Sequence, residues 1–565
     1  MARLDRLGPA REVAQIGSVI GRGFSYGLLR SVADTEDAAL LAALEKLADA
    51  DIVLVQGLPP DSDYRFKHAL IQDVAYENLL KSRRQVLHRR VAETLCDQFA
   101  DTAAAEPEVL AHHFTQAGLT DAAIEWWGKA GNQALRRSAF QEAISHLGKA
   151  IEMAGKAGDS AAGHRLKLQT DYGQAILWSK GYAAPETAAA FKRARELAGN
   201  IDIPGARLVA IYGQWAGQLM RGELQDARQS AELFVSEAKH GAGTTEALAW
   251  GRMLGLTCLV QGDFESAREH LQEALRIDDS ERDRDAKLRF GVDSASCATA
   301  YLALTVWQFG EFDQARKLMQ AALAGAIDSG HFPTQAVNYY IDGLLEMLFG
   351  KPGSAVRAAQ SVVEICREHG ISSYLICGTL LLSCARSRAG NTASSLTELR
   401  EALSAFTGSG IRSALPMLLG FIADVEAEAE NFEEASARVD EALSLAKQTG
   451  ERWMDSFLHR IRGEILRKRD PTNPAPAEET FLTAVAIAQQ QKAKSFELQA
   501  ALSLAKLYQS TGRPADAHAV LAPAIEGFTP TPEFPEIEQA QRLLDAPRCC
   551  FDSGVSEHTC GRVIK

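Results

Sequence analysis

A six-residue phrase returns along most of this 565-residue chain at a spacing that few architectures can accommodate. It runs Gly, an acidic or polar residue, an aromatic, two variable residues and Ala. The clearest copies are Gly262-Asp263-Phe264-Glu265-Ser266-Ala267 and Gly310-Glu311-Phe312-Asp313-Gln314-Ala315. Weaker copies begin at Gly118, Gly222, Glu430 and Gly512, and Gly350 and Gly390 hold the same place with less complete followers. From Gly222 the steps are 40, 48, 40, 40 and 40 residues. The last step, to Gly512, is 82, two units with Arg469-Asp470-Pro471 at the midpoint, and Ser138 opens a similar phrase 84 residues before Gly222. A fixed period of this size marks a solenoid of stacked units, each too small to bury its own apolar face.

Each unit reads as a helical hairpin. Upstream of one phrase, Ala298, Tyr301, Leu302, Leu304, Thr305 and Phe309 fall at helical spacing. Downstream, Ala315, Leu318, Met319, Ala322 and Leu323 do the same, so each helix carries one apolar stripe. The glycine ends the first helix in the left-handed conformation at low cost. The acidic residue after it starts the second, where its charge suits the amino end of the dipole. The aromatic packs back across the turn, and the small Ala lets the helices approach. The period predicts about ten hairpins, within residues 105–530.

Composition narrows the function classes. With 46% hydrophobic and 24% charged residues, the chain can bury a large core and is not globally disordered. A net charge of −13 argues against broad nucleic-acid coating. The nine cysteines, Cys96, Cys258, Cys297, Cys366, Cys377, Cys384, Cys549, Cys550 and Cys560, are odd in number and mostly single in apolar helical contexts. They read as small buried residues rather than a disulfide framework. No signal-peptide pattern opens the chain, and the apolar run from Tyr374 to Cys384 is far too short for a membrane span. A soluble, cytoplasmic protein is expected.

Residues 1–104 lack the period. Helices are predicted around Val13–Ile20, at Leu28 and Leu29, and over Glu36–Ala48, where Leu40, Leu41, Leu44 and Leu47 share a face. Ile52–Val55 and Asp63–Lys67 then predict two strands of a hairpin with a long loop. Three helices followed by a hairpin is the order of a winged helix. Helices over His68–Leu80 and Arg83–Phe99 follow. The fold class expected is therefore all-α: a helical-repeat superhelix preceded by a small winged-helix-like module with a β-hairpin, with residues 531–565 as a tail outside the repeats, without ordered structure.

The repeat phrase resembles the tetratricopeptide repeat, although that unit is about 34 residues and these run near 40. A more specific resemblance lies near the amino terminus. Ile20-Gly21-Arg22-Gly23-Phe24-Ser25-Tyr26, Tyr64 to Tyr76, Arg83 to His88 and Glu108 to Phe114 carry it. They are similar to the junction of large bacterial signalling proteins that join a class III adenylate/guanylate cyclase, a STAND-type P-loop ATPase, a winged helix and tetratricopeptide-like repeats. The resemblance implies the carboxy-terminal half of such a protein, truncated or separately encoded. A phosphate-binding P-loop needs Gly-Lys followed by Ser or Thr. The Gly-Lys pairs at Gly128, Gly148, Gly155 and Gly350 are followed by Ala130, Ala150, Ala157 and Pro352. Neither ATP hydrolysis nor cyclic-nucleotide synthesis is expected of this chain, and no cofactor.

In the STAND family a winged-helix histidine reaches the nucleotide β-phosphate, which makes His68 a candidate nucleotide sensor once an ATPase domain is present; a purely local contact is the alternative. Lys81, Arg83, Arg84, His88, Arg89 and Arg90 form a basic cluster, read as a docking surface, a phosphate-contacting patch or a solvated helix face. The helix over Glu36–Asp51 bears Glu36, Asp37, Glu45, Asp49 and Asp51 against Lys46, the wrong sign for a major groove. His112-His113 point about 100° apart on a helix, so packing is favoured over metal. Cys549, Cys550, His558 and Cys560 fit no closed zinc motif, and Trp126-Trp127 reads as core. The expected function is a non-catalytic sensor or scaffold arm that binds a protein or small effector on the concave repeat face. A P-loop ATPase or cyclase in trans is a further partner. The alternatives are a winged-helix DNA-binding regulator, and cyclase or ATPase activity supplied by partner domains.

Overall fold

The computed structural model describes residues 7–156, 162–198, 204–239, 244–278, 286–390 and 394–545. Two compact units divide the chain, residues 1–213 with 369–371 and residues 214–368 with 372–565.

The first unit opens with α1 (Pro9–Ile20), β1 (Gly23–Ser25), α2 (Tyr26–Val32), α3 (Asp37–Asp49), β2 (Val53–Leu58) and β3 (Asp61–Phe66). The three helices lie where periodicity put them, and Leu40, Ala43, Leu44 and Leu47 form the buried face of α3. The sheet has three strands rather than two, in the order β1-β3-β2, all pairs antiparallel. Strand β3 alternates, burying Ser62, Tyr64 and Phe66, and Phe24 of β1 packs on Tyr64 and Phe66 at 5.8 and 5.9 Å. The hairpin loop is short, not long: only Pro59 and Pro60 separate the strands, because Gly57 and Leu58 still pair with Ser62 and Asp61. Gly57, at φ 86°, permits this, since a Cβ there would lie 2.5 Å from the Asp61 carbonyl oxygen.

Helices α4 (Ala69–Glu77), α5 (Lys81–Gln98), α6 (Ala100–Ala105) and α7 (Pro107–Ala117) lead into the repeats. Two hairpins follow in this unit, α8 (Thr120–Arg136) with α9 (Phe140–Lys156), and α10 (Ala162–Lys180) with α11 (Pro185–Ala198). Trp127 is buried core, as its context predicts, and donates from Nε1 to Thr115 Oγ1 at 3.0 Å.

The unit boundary falls within α12 (Pro204–Met220), whose partner is α13 (Leu224–Lys239). The succeeding pairs are α14 (Thr244–Val260) with α15 (Phe264–Arg276), and, after the short α16 (Ala286–Arg289), α17 (Ser294–Gln308) with α18 (Phe312–Asp328). The connection carrying α16 accounts for the single 48-residue step. Next come α19 (Phe332–Leu348) and α20 (Pro352–His369), α21 (Ser372–Arg388) and α22 (Ser394–Gly408), α23 (Leu415–Glu428) and α24 (Phe432–Thr449). The last are α25 (Asp455–Arg469) and α26 (Ala475–Gln490), α27 (Lys494–Ser510) and α28 (Pro514–Ile525), then a single α29 (Glu536–Asp545).

The first helix of each pair is the inner one: nearly every residue of α17, α19 and α23 is buried. The second keeps a solvent face and buries one stripe, Phe264, Ala267, Leu271 and Ala274 in α15. Left-handed residues end the first helices as the phrase predicts, at Gly222, Gly262, Gly310, Gly350 and Gly390, and Ser138 and Glu430 adopt the same conformation without being glycine. A second series, Gly330, Gly370, Gly410 and Gly450, ends the outer helices halfway between. Asp263 caps α15 by accepting from the Ser266 N–H at 3.2 Å, whereas Glu311 makes no cap and instead pairs with Arg268 at 2.6 Å.

Within the second unit the hairpins coil until they meet earlier ones. The Met220 carbonyl, ending α12, accepts from the N–H groups of Arg412 and Ser413 at 2.8 and 3.2 Å, just before α23. The Val260 carbonyl, ending α14, accepts from Arg452 and Trp453 at 2.8 and 3.3 Å, just before α25. Trp307, at the end of α17, accepts from Ser495 Oγ in the first turn of α27. Each junction joins helices five hairpins apart, so carbonyls at the helix ends of one winding accept hydrogen bonds from the next. Aromatic rings fill the seam: Phe312 stacks on Phe534 at 4.4 Å, and Trp307 meets Phe496 at 5.2 Å. Glu533 pairs with both Arg316 and Lys351 at 2.7 Å. The first part of the expected tail is therefore folded, because Phe534 has a buried place prepared by residues more than two hundred positions upstream.

Candidate ligand-binding cavity

In the second unit the inner helices α19, α21, α23, α25 and α27, with α29, line an open cavity of about 480 Å³. Helical geometry sets its walls. On α25, Arg460, Glu464 and Lys468 stand one turn apart on one face, and Asp424 and Glu428 do the same on α23. Ser503 and Lys506 come from α27, Arg388 from the end of α21, and Glu536 and Gln539 from α29.

Several of these groups satisfy one another. Arg388 pairs with Asp424 at 3.1 Å, Gln499 donates to Glu536 at 3.0 Å, and Lys506 donates to Gln539 at 3.0 Å. Glu464 accepts from Arg467 Nη2 at 2.8 Å and Nε at 3.0 Å. Burial pushes its carboxyl up, but the charge of Arg467, the Ser503 hydroxyl and the charge of Arg460 outweigh this and hold it below the usual range. Arg460 lies with its guanidinium carbon 5.4 Å from the Phe457 ring centroid. Its Nε is shielded from solvent and has no hydrogen-bond acceptor.

The sequence reading passed over these residues, yet their register carries a signal. Six and two residues before the repeat phrase, the early units hold Leu256 and Val260, Leu304 and Gln308, Leu344 and Leu348. Later units hold Arg388 at the second of these positions, then Asp424 and Glu428, then Glu464 and Lys468 before the midpoint at 470, then Lys506 at the first. At these two register positions, mostly apolar residues give way to charged ones where the cavity opens.

The residues of the predicted nucleotide sensor and basic cluster lie in the first unit and do not form one site. His68 is exposed at the start of α4, and its side chain makes no capping bond. Lys81 is exposed on α5. Arg83 pairs with Glu12 at 3.2 Å, Arg89 with Glu93 at 2.7 Å, and Arg90 with Asp34 at 3.9 Å. Arg84 turns inward to the Leu79 and Glu77 carbonyls at 2.9 and 3.2 Å. His88 is buried and leaves the basic surface altogether. Its Nδ1 lies 2.8 Å from Nδ1 of His113 and its Nε2 3.0 Å from the Tyr76 hydroxyl. Burial, with the charges of His112 and Arg84, lowers His88 to about 4; burial, with His88 and His112, lowers His113 to about 3. Both rings are thus neutral near pH 7, one donating to the other.

Among the described residues no group of three or more His, Cys, Asp or Glu is placed to hold a metal ion. Cys549, Cys550, His558 and Cys560 lie outside the described residues. The buried thiols of Cys258 and Cys297 are pushed up by burial to about 11 and about 12, as inert core residues should be. No described helix is long and apolar enough to cross a membrane.

No family model matches the chain. Over 528 residues it is 26% identical to an uncharacterized protein of Rhizobium meliloti (strain 1021), an alignment covering 91% of this chain and 50% of that protein. The chain thus spans about half the length of the curated relative it matches. Among solved structures it is similar to a Rap protein complexed with competence and sporulation factor, at 9% identity and a TM-score of 0.46, covering 67% of this chain and 99% of that one. It is similar also to the Cut9–Hcn1 hetero-tetramer of the APC/C, at 12% identity and 0.45, covering 90% and 88%. A third is a STAND protein with a tetratricopeptide repeat sensor from Pyrococcus horikoshii, at 13% identity and 0.30, covering 91% and 63%.

Proposed function

We propose that this chain is a non-catalytic regulatory scaffold whose helical-repeat surface binds a protein or small effector. The observation that carries this reading is the run of charged residues Arg388, Asp424, Glu428, Glu464, Lys468 and Lys506 at the register positions that hold Leu256, Val260, Leu304, Leu344 and Leu348 in earlier units. Core packing asks for apolar side chains there, so a polar, partly buried lining is better explained by a binding role. On the same reading, residues 9–66 are a winged helix, since the order α1-β1-α2-α3-β2-β3 and the three-stranded antiparallel sheet suit that fold. The wording of residues 20–114 supports kinship with the sensor arm of STAND ATPase and cyclase proteins. A P-loop ATPase in trans would then dock on the first unit, the arrangement in which exposed His68 could meet a nucleotide.

Two measurements on the purified full chain test this. It should release no phosphate from ATP or GTP and form no cyclic nucleotide above a protein-free control; activity that co-purifies with the pure chain overturns the reading. Partners retained by the wild type should be lost by the double variant Arg460→Glu, Lys468→Glu and kept by Lys447→Gln on the outer helix α24.

A further inference from the structure

We propose that the cavity of the second unit binds a small organic oxyanion, a carboxylate or phosphate ester, through Arg460 and Lys468. The proposal rests on the reading of the inner face as the binding face and assigns its ligand chemistry.

By count the lining charges cancel: Arg388, Arg460, Lys468 and Lys506 stand against Asp424, Glu428, Glu464 and Glu536. Their existing partners break the tie. Arg388 and Asp424 cancel each other, and Glu464 is neutralised by Arg467 from outside the lining. Glu536 accepts from the neutral Gln499 and keeps its charge, so Arg460, Lys468 and Lys506 are left against Glu428 and Glu536. Glu428 is exposed and keeps its hydration. On the cationic side, Lys506 is engaged with Gln539. Arg460 is different. Its guanidinium is attracted by Glu464 only at a distance, it rests near the Phe457 ring, and its shielded Nε lacks an acceptor. Half-buried Lys468, two turns along the same face, makes no hydrogen bond or ion pair among the described residues.

A partly buried guanidinium and a partly buried ammonium favour an anion, because part of their desolvation is already incurred in the fold. Planar guanidinium donors match carboxylate or phosphate oxygens, and the lysine adds a point charge. Met347, Leu348 and Leu502 supply a small apolar wall for the carbon skeleton of such a ligand. The volume lies within the range of about 300–1,000 Å³ typical of small-molecule sites. It is bounded on one side by the end of α19 and on another by α29, a size suited to a metabolite-sized molecule.

Inorganic phosphate and citrate titrated into the full chain, at ionic strength held constant with sodium chloride, provide the test by calorimetry and thermal shift. Saturable binding of either probe is expected, weakened at least tenfold in Arg460→Gln and in Lys468→Gln and unchanged in Lys447→Gln. The tighter of the two probes identifies the phosphate or the carboxylate class. A response that does not saturate, or one that both variants retain, overturns the site. Should Arg460→Gln fail to fold, Lys468→Gln alone decides. A chain that captures a protein partner through the inner face yet binds neither probe overturns the oxyanion site and leaves the scaffold reading intact. Saturable anion binding lost in both variants, with no protein partner captured, supports the site and narrows that reading to its small-effector form, which nucleotide turnover by the pure chain would still overturn.

Discussion

Gly310 and Gly350 occupy the same place in the repeat and both adopt left-handed backbone, φ 80° and 68°. They differ in what lies beside them. A Cβ at Gly350 would meet nothing within 4 Å, whereas one at Gly310 would sit 2.4 Å from the Phe528 ring. Both substitutions incur left-handed strain of about 1–2 kcal/mol. Gly310→Ala must in addition displace an aromatic ring stacked on Phe312, about 1–3 kcal/mol more by the usual cost of overpacking. Chemical denaturation should therefore rank Gly310→Ala clearly below Gly350→Ala, and equal losses would show that the windings do not press together at Phe528. Glu430 and Ser138 hold the same backbone without glycine, so the turn tolerates a side chain where space is open.

At the scale of elements, α29 and the segment before it act as a clamp. Phe534 is fully buried against Trp307 and Phe312, and Glu533 ties α18 to the turn before α20. Phe534→Ala should lose about 3–5 kcal/mol and speed amide exchange at the end of α17 as much as in α29 itself; exchange confined to α29 would mean that the clamp holds only itself. This clamp also shows which elements the sequence could disclose. Amphipathic helices were legible because their periodicity is local, as in α15 with Phe264, Ala267 and Leu271. Strand β1 escaped because Gly23-Phe24-Ser25 has no strand character of its own and pairs only because β3 lies alongside. Phe534 looked like part of a tail because its partners are remote. The charged cavity was hidden for a third reason: Arg388, Asp424, Glu464 and Lys506 read singly as solvated helix residues, and only the common register of the repeats shows that they face one space. His88 was placed on a basic surface from its neighbours in sequence, whereas its position on α5 points it inward to Tyr76 and His113.

For the second unit as a whole, the seam between windings couples the coil to pH. Glu451 lies at the seam, fully buried, accepting from Trp453 Nε1 at 2.7 Å and from the Ala414 N–H at 3.2 Å. Burial pushes its carboxyl up to about 7 against these two bonds, from an ordinary 4.5. The folded state therefore keeps a proton that the unfolded chain gives up, and stability contributed by Glu451 falls as pH rises from about 4.5 to about 7. The size is on the order of 3 kcal/mol. Asp342 and Asp455, raised by burial to about 6, act in the same direction, while His331, lowered by burial to about 3, acts in the opposite one. The informative quantity is thus the difference between wild type and Glu451→Gln. Relative to that variant, the wild type should lose stability between pH 5 and pH 8, and a flat difference would mean that Glu451 is not protonated in the fold.

Because Met220 answers to Arg412, Val260 to Arg452 and Trp307 to Ser495, the hairpins are threaded like a screw cut for one nut. Loss or duplication of a single forty-residue unit would bring every later tooth against the wrong notch. Gene lineages carrying this coil should therefore vary in length chiefly outside residues 214–545, and inside that span should change by exchanging side chains rather than by counting repeats.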